Sequence, residues 1–328
     1  MVISCYHYEE QRSGCDTCNV NPNPLSLPPD VTVFQRGWLS SNNILLRGAQ
    51  GTALVDSGYA THAAQTVALV RAALGERPLD LLVNTHLHSD HCGGNAALQA
   101  AYPALQTHIP PGLARHVRDW DAEALTYAPT GQTCPPFGFD EVLRPGTEIT
   151  LGDTAWQVHA APGHDTHSVI LFEPASRVLI SADALWERGF GVVFPELEGE
   201  DAFHEVGQTL DLIASLSPAT VIPGHGAVFT GVDAAIAYAR ERLDGFVANP
   251  AKHTRHAAKV LLKFKLLELQ AAPLDSFIDW AHATPYFGLM HRVHAVEVTL
   301  PQWVQTLLAE LERAGAARRE GALIHNVG

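Results

Sequence analysis

The chain has 328 residues, of which 46% are hydrophobic and 17% charged, and a net charge of −14. That size and mixture describe a folded protein with a sizeable core and room for an accessory unit, and they exclude disordered and fibrous classes. The negative balance excludes wholesale electrostatic binding to nucleic acid, and apolar runs such as Val178 to Ile180 and Val260 to Leu262 fall far short of the roughly 20 residues of a membrane helix.

Residues 1–30 read as an N-terminal arm. Met1 to Glu10 lacks the basic-then-apolar order of an export signal, so a cytoplasmic location is expected. Five cysteines (Cys5, Cys15, Cys18, Cys92, Cys134) make an odd, scattered set that fits free thiols in a reducing compartment. Cys15 and Cys18 have CxxC spacing, and with Cys5 and His7 they form a candidate for a small separate zinc clip, the competing reading being an irregular arm. Asn19 to Asp30 carries Pro22, Pro24, Pro28 and Pro29, a composition that holds neither a helix nor a central strand.

Short β-type runs follow at Val31 to Gln35, Asn43 to Arg47 and Thr52 to Val55. Thr61 to Leu74 has apolar residues at helical spacing and stops at Gly75, which predicts a helix. Leu79 to Asn84 is a short apolar strand, and a His-rich segment begins where it ends. The stretch from Tyr102 to Asp140, rich in Pro and aromatics, reads as a cover for a pocket or as a surface helix and loop packed on itself. Ser168 to Phe172 and Val178 to Ala182 predict a hairpin whose second strand ends at Asp183, and Thr220 to Ile222 is a strand ending before Pro223-Gly224-His225. Loops at strand ends on a rigid sheet are where function concentrates.

Beyond Ala234 the pattern turns helical, at Ala257 to Leu269 and Pro301 to Ala314, followed by a two-strand-like turn over Gly315 to Ile324. A domain boundary is expected near Asn249-Pro250, giving a body over 31–248 and a C-terminal unit over 249–328. From Asn249 onward nine Lys and Arg meet seven Asp and Glu, a net of +2, which leaves −14 − 2 = −16 for the rest.

The chemistry starts at His86-Leu87-His88-Ser89-Asp90-His91. One turn after a strand presents three imidazoles and a carboxylate on one side, and these are the donors that Zn²⁺ prefers. Together with Pro162-Gly163-His164, Ser181-Ala182-Asp183 and Pro223-Gly224-His225 in that order, the run resembles the metallo-β-lactamase-fold hydrolase superfamily over roughly Val31 to Ala239; the turn Asp56-Ser57-Gly58 looks like that family's early Asp-x-Gly.

The resemblance implies an α/β fold, an αββα sandwich with metals in a groove at one edge. It implies that His86, His88 and His164 hold one metal, that Asp90, His91 and His225 hold a second, and that Asp183 bridges them. Two Zn²⁺ are the expected cofactors, Fe and Mn being accepted by the same donors. A metal-bound hydroxide would attack a small ester, thioester or lactone, with Asp90 as proton acceptor. An intact Asp183 looks like the thioesterase, lactonase, nuclease and phosphodiesterase branches and argues against β-lactam hydrolysis. The C-terminal unit resembles the small, mainly helical winged-helix-like domain that some members append, with Arg318-Arg319 in its wing. A dimerising or pocket-capping role is weighed there against nucleic-acid contact.

Cys92 is expected to be a small buried residue and His167 a structural or proton-donating neighbour of His164, while His108, His159, Tyr127 and Trp186 have no spacing argument behind them. The alternatives to the small-substrate hydrolase are a nuclease acting on single strands, an iron oxygenase using the same ligands, and a binding module with a vestigial site.

Overall fold

The strands at Val31–Gln35, Thr52–Val55, Val169–Glu173 and Val178–Ala182 are buried on both faces, the pattern of sheets covered on two sides. The computed structural model describes residues 2–4, 20–21, 27–49 and 51–328. Its first sheet has the order β2 (Val20–Asn21), β1 (Val2–Ser4), β3 (Val31–Gln35), β4 (Asn43–Arg47), β5 (Thr52–Val55), β6 (Leu81–Val83), β7 (Gln106–Ile109), β8 (Glu141–Val142). The second runs β13 (Thr220–Pro223), β12 (Val178–Ala182), β11 (Val169–Glu173), β10 (Thr154–Ala160), β9 (Glu148–Leu151).

Ile44 and Leu46 of β4 face Leu171 and Ile180 of the second sheet in one shared core, which Val33, Val55, Trp156 and Ile222 complete. On the opposite faces, Leu45 and Leu54 pack on α1 (Ala63–Leu74) and α3 (Asn95–Ala101), while Ile170 and Phe172 pack on α7 (Ala202–Leu216) and α8 (Val232–Ala248). The four layers are the expected αββα sandwich.

The predicted hairpin is present as β11 and β12, with Leu171 opposite Ile180. The predicted helix at Thr61 starts as a single 3-10 turn, Ala60–His62, before α1. The expected arm is partly sheet: β1 pairs in parallel with β3 and antiparallel with β2, covering an edge that would otherwise leave backbone groups unpaired. Cys5, His7, Cys15 and Cys18 lie outside the described residues.

Two parallel pairs decide where the functional loops go. Strands β5 and β6 run parallel in the first sheet, and β12 and β13 in the second. Their C-terminal ends therefore share one edge of the sandwich.

The C-terminal part begins at once after α8, because Asn249 breaks the helix with an extended backbone and Pro250 restarts it as α9 (Pro250–Leu269). Proline suits the first turn of a helix, where its missing N–H is not needed. Helices α10 (Leu274–Ala283), α11 (Pro285–His294) and α12 (Leu300–Arg313) follow, with a three-stranded sheet in the order β14 (Ala271–Pro273), β16 (Leu323–Asn326), β15 (Ala317–Glu320). The sequence reading missed α10, α11 and β14. This part has its own core, including Leu262, Leu266, Phe277, Phe287, Trp303 and Leu308, which also takes in Val192 and Leu197 of the body. Thr299 and Gln302 form a capping box at the start of α12. No described helix is long and apolar enough to cross a membrane.

Candidate active site at the shared strand edge

Each singled-out His and Asp sits just past a strand end: His86 to His91 after β6, His164 after β10, Asp183 directly after β12, and His225 after β13. The structure brings all seven together as two groups, His86, His88 and His164 in one and Asp90, His91, Asp183 and His225 in the other, each with candidate donor atoms within 4.8 Å of one another. In the first group, His88 Nδ1 lies 2.8 Å and His86 Nε2 3.3 Å from His164 Nε2. In the second, His225 Nε2 lies 3.0 Å from Asp90 Oδ2. The Asp183 carboxylate faces both groups, with Oδ2 3.4 Å from His164 Nε2 and 3.9 Å from His225 Nε2, and Oδ1 3.5 Å from His91 Nε2.

The backbone makes room for this convergence. A Cβ at Gly224 would collide with Asp183 Oδ1 and one at Gly191 with the His164 ring. Ala182, just before Asp183, is held at φ 46, where a side chain is disfavoured.

Other groups fix which ring nitrogens face inward. His164 Nδ1 donates to Val192 O at 2.6 Å, leaving Nε2 unprotonated and turned to His86 and His88. His91 Nδ1 lies 2.7 Å from Asp56 Oδ2, and Asp56 is itself held by the Thr85 backbone N–H and hydroxyl at 2.9 and 2.8 Å. Asn42 clamps the His225 loop by donating to Pro223 O and Gly226 O. Trp186 donates its indole N–H to Asp183 Oδ1 at 3.2 Å. Trp38 stacks on the His225 ring at 5.4 Å between centroids and remains 51% exposed. Sequence reasoning noticed Asp56 and Trp186 without assigning partners, and it missed Asn42, Trp38 and Val192, which no spacing connects to the His run.

Electrostatics sort the two groups. Burial, with neighbouring imidazoles, pushes His86 well below its ordinary value, and burial first of all brings His88 and His164 to about 4, so these rings are neutral at neutral pH. Burial opposes charge at Asp90 and Asp183 too, but the facing histidines hold both below the usual carboxylate range. At His91 burial is outweighed by the carboxylates of Asp56, Asp183 and Asp90, and the ring's pKa stands well above the usual. Neutral imidazoles and ionised carboxylates are the forms that coordinate cations, so His91 would give up its Nε2 proton to a cation that binds there. The donor set fits a pair of divalent ions, and His91 Nε2, buried with no hydrogen-bond partner among the described residues, is the kind of atom a cation satisfies.

A cavity of about 370 Å³ opens over these groups. Its walls come from the Tyr102 to Asp140 stretch (Thr126, Tyr127, Thr130, Gln132), from the loop carrying Trp186, Arg188 and Phe194, and from α9 through His256, Val260 and Phe264. Tyr127 also donates to Leu87 O, and Cys92 is buried against its hydroxyl, with Cys134 Sγ 3.8 Å from Cys92 Sγ. His167 lines a neighbouring, smaller cavity with Asp165 and Tyr286. His108 on β7 and His159 on β10 do not line the cavity.

A two-sheet sandwich with this donor set at its shared strand edge defines a metal-binding protein of the αββα class. Residues 36–225, more than half of the chain, match the family model described as the Metallo-beta-lactamase superfamily, and the chain belongs to that superfamily. It is 29% identical over 244 residues to a hydroxyacylglutathione hydrolase of Brucella anthropi, covering 71% of this chain and 76% of that one. It is 26% identical over 211 residues to acyl-coenzyme A thioesterase MBLAC2 of Gallus gallus, covering 60% and 76%. Among solved structures, the metallo-beta-lactamase family protein TTHA1429 from Thermus thermophilus aligns with a TM-score of 0.55 at 20% identity, over 92% of this chain and all of that one, a likeness of fold.

Proposed function

We propose that the chain is a zinc-dependent hydrolase of esters and thioesters, with lactones as close analogues, acting in the cytoplasm on a small-molecule substrate. The observation that carries this reading is the convergence of six buried or half-buried donors around a seventh, the Asp183 carboxylate. His86, His88 and His164 would hold one ion, Asp90, His91 and His225 the other, and Asp183 would serve both. Two ions held there would supply a water with its pKa lowered to about 7 and a Lewis acid for the carbonyl oxygen. The names of the relatives, a hydroxyacylglutathione hydrolase and an acyl-coenzyme A thioesterase, favour thioesters.

The chain's own residues do the rest. Asp56 and Val192 O fix the tautomers of His91 and His164, and Trp186 steadies Asp183. The Asp90 carboxylate, its Oδ2 held 3.0 Å from His225 Nε2, accepts the proton of the attacking water. Phe194, Val260 and Phe264 line the cavity with apolar surface that excludes bulk water.

The reading includes a body over 31–248 and a winged-helix-like unit over 249–328 that caps the cavity through α9. Nucleic acid is not favoured: Arg318 pairs with Glu320 at 2.5 Å and Arg319 with Glu312 at 3.2 Å, so the wing presents no free basic pair. The test is a panel of thioesters, esters, lactones and nucleotides offered to protein loaded with Zn²⁺, Mn²⁺ or Fe²⁺, with metal content measured and His88→Ala as the blank. Thioester or ester turnover highest with two equivalents of zinc supports the reading. Oxygen uptake with iron, or nucleotide cleavage alone, overturns it.

A further inference from the structure

Helix α9 presents three faces. Leu262 and Leu266 enter the C-terminal core. Val260, Phe264 and Leu267, at helical i, i+4, i+7 spacing, form an apolar stripe. The third face is basic, with Lys252, Arg255 and Lys259, in a helix that carries five Lys and Arg and a single acid, Glu268.

The apolar stripe continues the cavity. A groove of about 380 Å³ shares Trp38, His256, Val260 and Phe264 with the space over the metal groups and runs on past Leu267 to Leu311 and Ala314 of the α12 end. A second branch leaves the same cavity past Arg242 and His256 and is lined by Lys252, Arg255, Lys259 and Glu241. Arg255 and Lys259 share one carboxylate, Glu310, leaving an excess of charge there, and Lys252 and Arg188 have no ion-pair partner among the described residues. This is a concentration of cations on a chain of net charge −14. One branch therefore fits an apolar chain and the other an anionic group, and both open at His256 into the cavity over the two groups of donors.

Resting on the hydrolase reading above, we propose that the substrate is a thioester of an apolar, medium-to-long acyl chain with a phosphate-bearing thiol, the acyl chain lying along the Trp38–Phe264–Leu311 groove and the phosphates on the Arg242–Lys252–Lys259 ledge. The reaction balances without a further reactant. Water oxygen forms the new C–O bond, the C–S bond breaks, the thiolate leaves as a thiol with one of the water's protons, and the acid product releases the other.

The experiment uses zinc-loaded full-length protein and two matched series running from acetyl to dodecanoyl, one of coenzyme A thioesters and one of N-acetylcysteamine thioesters, which lack the phosphates. Binding of a non-hydrolysable S-dodecyl coenzyme A thioether is measured in parallel by calorimetry. The expected result is a kcat/KM that rises about threefold to fourfold per added methylene until the groove is filled. The preference for the coenzyme A series over the truncated one is expected to fall as salt rises and about tenfold in Lys252→Glu. Ala314→Trp, at the far end of the groove, lowers the dodecanoyl-to-butyryl ratio about tenfold. Chain-length-independent turnover with equal rates in both series and silent variants overturns the proposal while leaving the hydrolase reading intact. Thioether binding with the stated salt and variant dependence, but no turnover of any ester by loaded protein, sinks the hydrolase reading and keeps the ligand assignment. Absence of both overturns both.

Discussion

Residues 31–248 and 249–328 border the same cavity with different materials. The body contributes imidazoles, carboxylates and the rigid strand ends that aim them, and it carries the acid excess. The C-terminal part contributes one wall, the apolar and basic faces of α9, and a hydrophobic core of its own. The chemistry is fixed by groups whose orientation is set within the body, Asp56 on His91 and Val192 O on His164. On the proposal above, selection among substrates falls to α9, which among the described residues makes no hydrogen bond or ring contact with the seven donors. Such a division separates what is done from what it is done to.

The separation can be broken at either side, and the largest effect is expected in the body. Asp183→Ala removes the carboxylate facing both groups and should lower kcat/KM about 10³-fold while bound zinc drops from two equivalents towards one, read by elemental analysis. On the other side, Leu308→Ala opens a cavity in the C-terminal core and should cost about 2–5 kcal/mol in chemical denaturation. Two retained equivalents of zinc in that variant would confirm that the core of one part is not needed to assemble the donors of the other; loss of zinc would erase the division.

The joint between the parts is expected to be sensitive to acid. His253 of α9 accepts from the Val193 backbone N–H at 3.1 Å, and burial, aided by Arg242 and His294, lowers it to about 4. Its folded pKa lies below the unfolded value of about 6.5, so the unfolded chain binds more protons in between. Stability should therefore fall as pH drops from about 6.5 to about 4, by about 3 kcal/mol from this group. Denaturation of chelator-treated protein at several pH values, compared with His253→Gln, isolates that slope, and identical slopes would refute it. The smallest effect sharpens the comparison within the body. Asp56→Asn keeps the side-chain shape but loses the carboxylate that His91 Nδ1 faces, and should weaken zinc binding about 10- to 100-fold in chelator competition, with the acyl-chain preference unchanged.

The donor run was legible because His86 to His91 packs four chemical groups into six residues after a strand. His164, Asp183 and His225 were legible only through their resemblance to a family order, since single residues carry no period. What stayed hidden depends on tertiary assembly. Trp38, Trp186 and His225 are far apart in sequence and meet because β12 and β13 end at the edge that the β3–β4 loop overhangs. Periodicity showed individual strands and helices, and the αββα layering came from the family resemblance; α10 and α11 are short, and Thr284-Pro285 between them reads as a break rather than a restart. In α9 the apolar residues spread over two faces, and periodicity alone does not tell a core stripe from a cavity wall.

Ala182 holds a backbone conformation that costs an alanine on the order of 1–2 kcal/mol, and it does so beside buried carboxylates gathered at one edge. A cation that binds the folded chain and not the unfolded one offsets such costs by mass action, about 2.7 kcal/mol at a hundredfold excess over its dissociation constant. Metal held by the two groups of donors would thereby tie the lifetime of this protein in a cell to metal supply. Where the metal is scarce, the unfolded fraction exposed to proteases would rise, and the amount of protein would fall along with its activity.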